Sequence, residues 1–334
     1  MTVLTAGARF AVNMDALGFA PMSNVTFEAT NLIYADIGGG NRDTFYGNFS
    51  YDGFSDLAGG VLNHVQETLA GFLHFDISGF SVSAVNFADL AQSGSTISAL
   101  TLILGGADQI TGSPLNDNLF GLDGNDTING GGGYDTVFGG AGDDVIIGGT
   151  GVGPGEGYLR GEDGNDSIVG GINFDDINGN AGSDTIHGGA GDDWVVGGKD
   201  NDLLFGDDGA DIVYGNLGDD TLDGGAGNDL IRGGQGDDSL AGGAGNDWIS
   251  GDRGNDTMSG GPGADTFHSF GGAGIDRVLD FSAAEGDRVQ LDLGTTYTVT
   301  QVGADTVIDM VGGGQMTLVG VNMATLPSGW IFEA

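Results

Sequence analysis

Between residues 112 and 279 one apolar position recurs at every ninth residue, broken after Ile146 and again before Val278. The series runs Leu119, Ile128, Val137 and Ile146. It resumes at Ile168 and continues through Ile177, Ile186, Val195, Leu204, Val213, Leu222, Ile231, Leu240, Ile249, Met258 and Phe267 to Val278. Triplets such as Thr127-Ile128-Asn129 alternate polar, apolar, polar, the period of a short half-buried strand. Ahead of each triplet lies a glycine-rich run, for example Gly139-Gly140-Ala141-Gly142, whose residues reach the positive φ angles of a tight turn without steric penalty. A nine-residue block is too short for a helix pair and suits one turn plus one strand. Two blocks then close one coil, with an aliphatic side chain pointing inward from each side. Coils stacked about 4.8 Å apart pair their strands into two parallel sheets. The pattern therefore predicts an all-β chain built on a right-handed parallel β-roll solenoid.

The sixth place of the block is acidic. It holds Asp117, Asp126, Asp135 and Asp144, then Asp166, Asp175, Asp184, Asp193, Asp202, Asp211, Asp220, Asp229, Asp238, Asp247, Asp256 and Asp265, with Asp276 after a two-residue slip. Residues two blocks apart stack on the same edge of a roll. One column thus holds Asp166, Asp184, Asp202, Asp220, Asp238 and Asp256, and the opposite column holds Asp175, Asp193, Asp211, Asp229, Asp247 and Asp265. Carboxylates about 5 Å apart repel by roughly 0.8 kcal/mol per pair in water, and by about 3 kcal/mol at an effective dielectric of 20. Repeated along two edges, that repulsion exceeds the roughly 5–15 kcal/mol of a typical domain's stability. Cations must sit between the rungs. Sites made only of carboxylate and turn carbonyl oxygens suit a hard ion of flexible coordination, Ca²⁺ rather than Zn²⁺.

These blocks resemble the glycine-rich nonapeptide GGxGxDxUx of the repeats-in-toxin (RTX, haemolysin-type) family, and the resemblance covers about half of the chain. It implies multiple calcium ions held between successive turns by the aspartates named above and by carbonyls of the neighbouring glycine-rich turns. Departures are local. The fourth place is Leu115, Asn173 or Asp200 instead of glycine, and the second is Leu122, Glu162, Asn180, Asp207, Asn216 or Asp252. The weakest ion sites are expected at the three fourth-place departures.

Three domains are expected. Residues 1–111 read as an N-terminal β-rich domain leading into the solenoid, with strands over 25–28, 31–37, 44–51 and 72–77, a short helix over 83–92 and a last strand over 100–104. A shortened row comes next, in which Asp108 and Ile110 hold the acidic and aliphatic places. Residues 112–279 form the roll, interrupted by a loop over 150–158 from which Leu159 returns to the inward place. Residues 280–334 alternate as strands and should form a C-terminal β cap that hides the last aliphatic layer. This last part also resembles the C-terminal secretion signal of type I substrates, which makes a type I exporter the implied partner.

Composition narrows the functions. The 334 residues include 70 glycines and no cysteine, so any staple is a metal and not a disulfide. A net charge of −40 rules out nucleic-acid binding through phosphate neutralisation and disfavours anionic membranes. Residues 1–19 lack the basic start and apolar run of a secretory leader, and no apolar run approaches a transmembrane segment. His64, His74, His187 and His268 make no zinc pattern, and the latter two take the outward ninth place. Residues 1–111 offer no grouping of nucleophile, base and orienting residue, so no enzyme is expected. A pore-forming toxin would need long apolar helices and lysines ahead of the repeats, yet no lysine precedes Lys199. The expected function is a secreted calcium-binding structural or adhesive protein of the bacterial surface or extracellular matrix. It would fold on calcium after export, with self-assembly into a homo-oligomer, filament or lattice as a further option. The alternative is a secreted enzyme or ligand-binding protein carried on the roll.

Overall fold

Hydrogen-bonded partners in the repeats stand one coil apart: Ile168 pairs with Ile186, Leu204 with Leu222 and Leu222 with Leu240. A computed structural model describes residues 106–112, 116–149 and 157–334, together with the backbone of five earlier strands, Val25–Phe27, Leu32–Asp36, Arg42–Tyr51, Leu57–Leu69 and Phe72–Val82. The helix expected over 83–92, the strand over 100–104, Leu115 and most of the 150–158 loop lie outside these residues. The chain forms two compact units, Met1–Leu159 and Arg160–Ala334.

In the first unit the five early strands form an antiparallel meander. Phe72–Val82 then pairs antiparallel with Gln109–Thr111, which pairs parallel with Thr127–Asn129, and that strand with Val145–Ile147. The change from antiparallel to parallel thus falls at Gln109–Thr111, the strand of Ile110. The opposite sheet pairs Asn118–Asp123 with Thr136–Ala141. The sequence pattern missed Leu57–Leu69. Its pairings shift register between Leu62 and His64 and between Glu67 and Thr68. Such bulges insert a residue and erase the period-two alternation on which strand recognition depends.

The second unit has two parallel sheets back to back. One contains Ser167–Gly171, Thr185–Ala190, Leu203–Asp208, Thr221–Ala226, Ser239–Ala244, Thr257–Ser259 and Ile275–Val278. The other contains Asp175–Ala181, Trp194–Lys199, Ile212–Leu217, Leu230–Gln235, Trp248–Arg253 and Thr266–Ser269. The eighth-place residues fill the space between them: Ile177, Ile186, Val195, Leu204, Val213 and Ile231 are all 0% exposed. Each contributes roughly 1.5–3 kcal/mol through burial. The core is one side chain thick per strand, so no larger hydrophobic mass backs it up.

The second place of the block takes a left-handed backbone in most rows whether or not glycine occupies it, Gly171 and Gly272 being exceptions. Leu122 (φ 79°), Glu162 (φ 81°), Asn180 (φ 77°) and Asp252 (φ 66°) all adopt it. For a non-glycine residue this costs about 1–2 kcal/mol, which neighbouring coils must offset. Asp200, at the fourth place, also complies with φ 70°, so its turn keeps its form, whereas Asn173 stays outside that region.

Beyond the repeats both sheets gain strands. Arg288–Leu291 pairs parallel with Thr266–Ser269, and Ile331–Glu333 pairs parallel with Arg288–Leu291. Gln315–Leu318 pairs parallel with Ile275–Val278 and closes an antiparallel meander with Tyr297–Val302 and Asp305–Met310. Val289, Leu291, Ile308, Met316 and Leu318 are fully buried here, and the Phe281 ring packs 6.1 Å from Phe267 and edge-on to Trp330. These residues shield the last aliphatic layer from water.

Candidate metal centre

Each sixth-place aspartate comes directly after a glycine-rich turn, and the tight turn drives its side chain back between coils. There one carboxylate oxygen has a fixed partner. Asp211 Oδ1 accepts the Asp193 main-chain N–H at 2.7 Å, and Asp229 Oδ1 accepts that of Asp211 at 2.8 Å. In the opposite column Asp220 Oδ1 accepts from Asp202 at 2.8 Å and Asp238 Oδ1 from Asp220 at 2.8 Å. The first unit repeats the arrangement, with Asp126 accepting from Asp108 and Asp144 from Asp126, both at 2.7 Å, and Asp135 from Asp117 at 2.9 Å. The structure buries every sequence-predicted site residue, Asp117 being the most exposed at 8%.

The second oxygen is different. Oδ2 of Asp184, Asp202, Asp220, Asp238 and Asp256 in one column, and of Asp193, Asp211, Asp229, Asp247 and Asp265 in the other, is buried without any hydrogen-bond partner in the protein. Asp126 and Asp135 repeat this in the first unit. A buried acceptor left unmatched costs about 1–3 kcal/mol, and more when charged. Burial accordingly pushes these carboxyls up, helped by neighbouring carboxylates and opposed by the main-chain N–H. Asp202 reaches about 8, Asp193, Asp238 and Asp247 about 7, and Asp211 and Asp220 about 6.

The unmatched oxygens face carbonyls. A methyl group built on Gly206 would stand 2.5 Å from both Asp211 Oδ2 and the carbonyl oxygen of Gly224 in the next coil. On Gly224 it would stand 2.5 Å from Asp229 Oδ2 and 2.6 Å from the Gly242 carbonyl. First-place glycines thus leave open a small cradle lined by a carboxylate from one coil and a carbonyl from the next. No three His, Cys, Asp or Glu side chains converge on one point among the described residues. An ion here is therefore held by few carboxylates and completed by main-chain oxygens, the donor set of calcium. Gly206→Ala is expected to lower the calcium count by at least one and to reduce the calcium-loaded melting temperature by several degrees, checked by native mass spectrometry and calorimetry. Unchanged values in both would remove this cradle from the ion sites.

Two elements escaped the sequence reading. Asp287 extends the second column, its Oδ1 accepting the Asp265 N–H at 3.0 Å, but it stands 22 residues along and so breaks the period. The fifth-place residues form an exposed ladder of opposite polarity: Asn201 accepts the Asp219 N–H, Asp219 that of Asp237, and Asp237 that of Asn255. The recurrent Asn or Asp just before the acidic place was the available signal. The outward histidines also have definite partners. His187 stacks on Phe205 at 4.4 Å with Nδ1 3.0 Å from Asp207, and His268 lies between Ser250 and Asp292.

Parallel coils closing over cradles of carboxylate and carbonyl oxygen define a class, the calcium-binding β-roll. A family model for the RTX calcium-binding nonapeptide repeat matches in overlapping copies from 104–137 through 232–267. Residues 104–267 are thus RTX calcium-binding nonapeptide repeats, and their cofactor is calcium. Such repeats are typical of proteins secreted by type I systems. Among solved structures, the extracellular lipase LipA from Serratia marcescens is 20% identical, with a TM-score of 0.24 over 55% of this chain and 40% of the lipase chain. The AlgE6R3 subunit of the Azotobacter vinelandii mannuronan C5-epimerase is 25% identical, with a TM-score of 0.18 over 48% of this chain and 78% of that one. No curated protein matches the sequence. No helix among the described residues is long and apolar enough to cross a membrane.

Proposed function

We propose that this chain is a structural or adhesive protein of the bacterial surface or extracellular matrix, threaded through a type I exporter while calcium-free and folded by calcium outside. The observation that carries this reading is the ladder of buried, unmatched Oδ2 atoms, which makes the folded roll depend on an ion scarce in cytoplasm and abundant outside the cell. The acidic-place residues from Asp117 to Asp265 are the proposed ligands. The domain division at 111 and 279 belongs to the same proposal, the ends serving as lead-in and cap. No catalytic role is proposed for the roll.

Self-assembly between copies is favoured by one surface. On the outer face of one sheet Trp194, Ile212, Leu230 and Trp248 stand in register on successive coils, flanked by Val196 and Tyr214. Lys199 and Arg253 lie on the same sheet, where Arg232 is already paired with Asp252, in a chain with only 8 lysines and arginines against 48 acidic residues. A second copy is the proposed occupant, because its exposed turn carboxylates, such as Asp192, Asp219 and Asp237, complement Lys199 and Arg253. Sedimentation in millimolar calcium is expected to show larger species as concentration rises. Salt should weaken them, and so should Trp194→Ser with Leu217→Ser, two side chains each 43% exposed. Monomers alone across the whole concentration range would end the assembly reading.

A further inference from the structure

We infer that each acidic column is closed at its C-terminal end by an aspartate held entirely by protein donors, Asp276 in one and Asp287 in the other, and that neither binds calcium. The inference rests on the calcium reading of the preceding rungs.

Along both columns the rule is one oxygen bonded and one unmatched. It holds as far as Asp256 and Asp265, whose Oδ1 atoms accept from Asp238 and Asp247 while Oδ2 has no partner. The next members depart from it. Asp276 Oδ1 accepts the Asp256 N–H at 3.4 Å, and its Oδ2 accepts the Ser269 hydroxyl at 3.0 Å. Asp287 Oδ1 accepts the Asp265 N–H at 3.0 Å, and its Oδ2 accepts the Ser282 main-chain N–H at 2.7 Å. Three of these residues are deeply enclosed: Asp276 and Ser269 are 1% exposed and Asp287 is 4%. Thus the oxygen that faces a cradle in the earlier rungs is here turned onto a hydroxyl or an amide.

The departure has a cause in the chain beyond these two residues. A cradle sets the unmatched oxygen beside a main-chain carbonyl of the next coil, as Asp211 has in that of Gly224. After Asp276 and Asp287 the next strands in the two sheets are Gln315–Leu318 and Ile331–Glu333, reached by a meander and a tail instead of a glycine-rich block. In the Asp276 row a carbonyl remains, since a methyl group built on Gly271 would meet that of Val311, but no Asp276 oxygen stands beside it and the carboxylate half of the cradle is gone. A bare oxygen would stay unmatched there, and a protein donor removes that cost without an ion. Asp280 treats the last turn in the same way, its two oxygens accepting the Gly260 and Gly261 N–H groups at 2.9 and 3.0 Å.

The test is the calcium stoichiometry of the full chain by native mass spectrometry at saturating calcium. Asp276→Asn and Asp287→Asn are expected to keep the wild-type number of ions, while Asp256→Asn and Asp265→Asn each lose at least one. Loss of an ion from either of the first two variants overturns the inference. Because a variant can fail to fold, the unaltered protein supplies a second reading. Anomalous diffraction from calcium-loaded crystals should place ions beside Asp256 and Asp265 and none within bonding distance of Asp276 or Asp287. An ion on either terminal carboxylate overturns it. A chain that binds no calcium anywhere would instead sink the reading of the whole roll, so the two failures are distinguishable.

Discussion

In a chelator near neutral pH the far-ultraviolet β signal of the repeats is expected to disappear, and millimolar calcium to restore it. With the ions gone, each column keeps its carboxylates one coil apart. Each neighbouring pair then repels by about 0.8 kcal/mol if water reaches it, and by about 3 kcal/mol at an effective dielectric of 20. The core cannot resist this. It is one aliphatic side chain thick per strand, and the 70 glycines make the ordered chain entropically expensive. Summed over both columns, the repulsion rivals the roughly 5–15 kcal/mol by which domains are usually stable at the lower figure and exceeds it at the higher. Circular dichroism during a chelator titration decides it. A β signal that survives complete chelation would show that the unmatched oxygens are tolerated without an ion and would remove the basis for calcium-gated export.

The second large effect is an inverted response to pH in the calcium-free protein. Burial and the neighbouring carboxylates raise the folded carboxyls from 3.8 to about 8 at Asp202, about 7 at Asp193, Asp238 and Asp247, and about 6 at Asp211, Asp220 and Asp256. The folded chain therefore binds more protons than the unfolded chain in the window between those values. Stability from these groups is fully present below the unfolded value near 3.8 and is lost as pH rises through about 6–8. A proton can thus substitute in part for calcium. In a chelator the β signal should grow on moving from about pH 8 to about pH 5. With calcium bound the carboxylates stay ionised, and the slope should reverse as protons compete for the ligands. Parallel pH titrations with calcium and with chelator measure both slopes. A chelated protein that gains structure as pH rises would contradict the burial of unpaired carboxyls.

Much of this was legible in the chain. The ninth-residue apolar period placed Ile168 through Phe267 in the core, and the structure buries each of them. The acidic period likewise brought Asp193, Asp211 and Asp229 onto one edge, linked at 18-residue separations. Strand Leu57–Leu69 was not legible, because its bulges break the alternation by which a strand is recognised. Asp287 was not legible either, since an insertion carries it to a 22-residue separation while it still stacks beneath Asp265.

A repeat in sequence becomes a repeat in space only because every coil uses the same number of residues. By itself, therefore, the sequence determined the parallel roll, its thin aliphatic core, its acidic columns and the need for a hard cation. Only the tertiary structure decided which carboxylate oxygen faces an amide and which faces a cradle. It also decided how Asp207 and Asp252 fit turns shaped for glycine, and where Ser269 and Ser282 take over at the end of the columns. Those choices depend on hydrogen-bond partners from neighbouring coils and from the cap. Insertions and slips change the separation of such partners along the chain while leaving their contact in space intact.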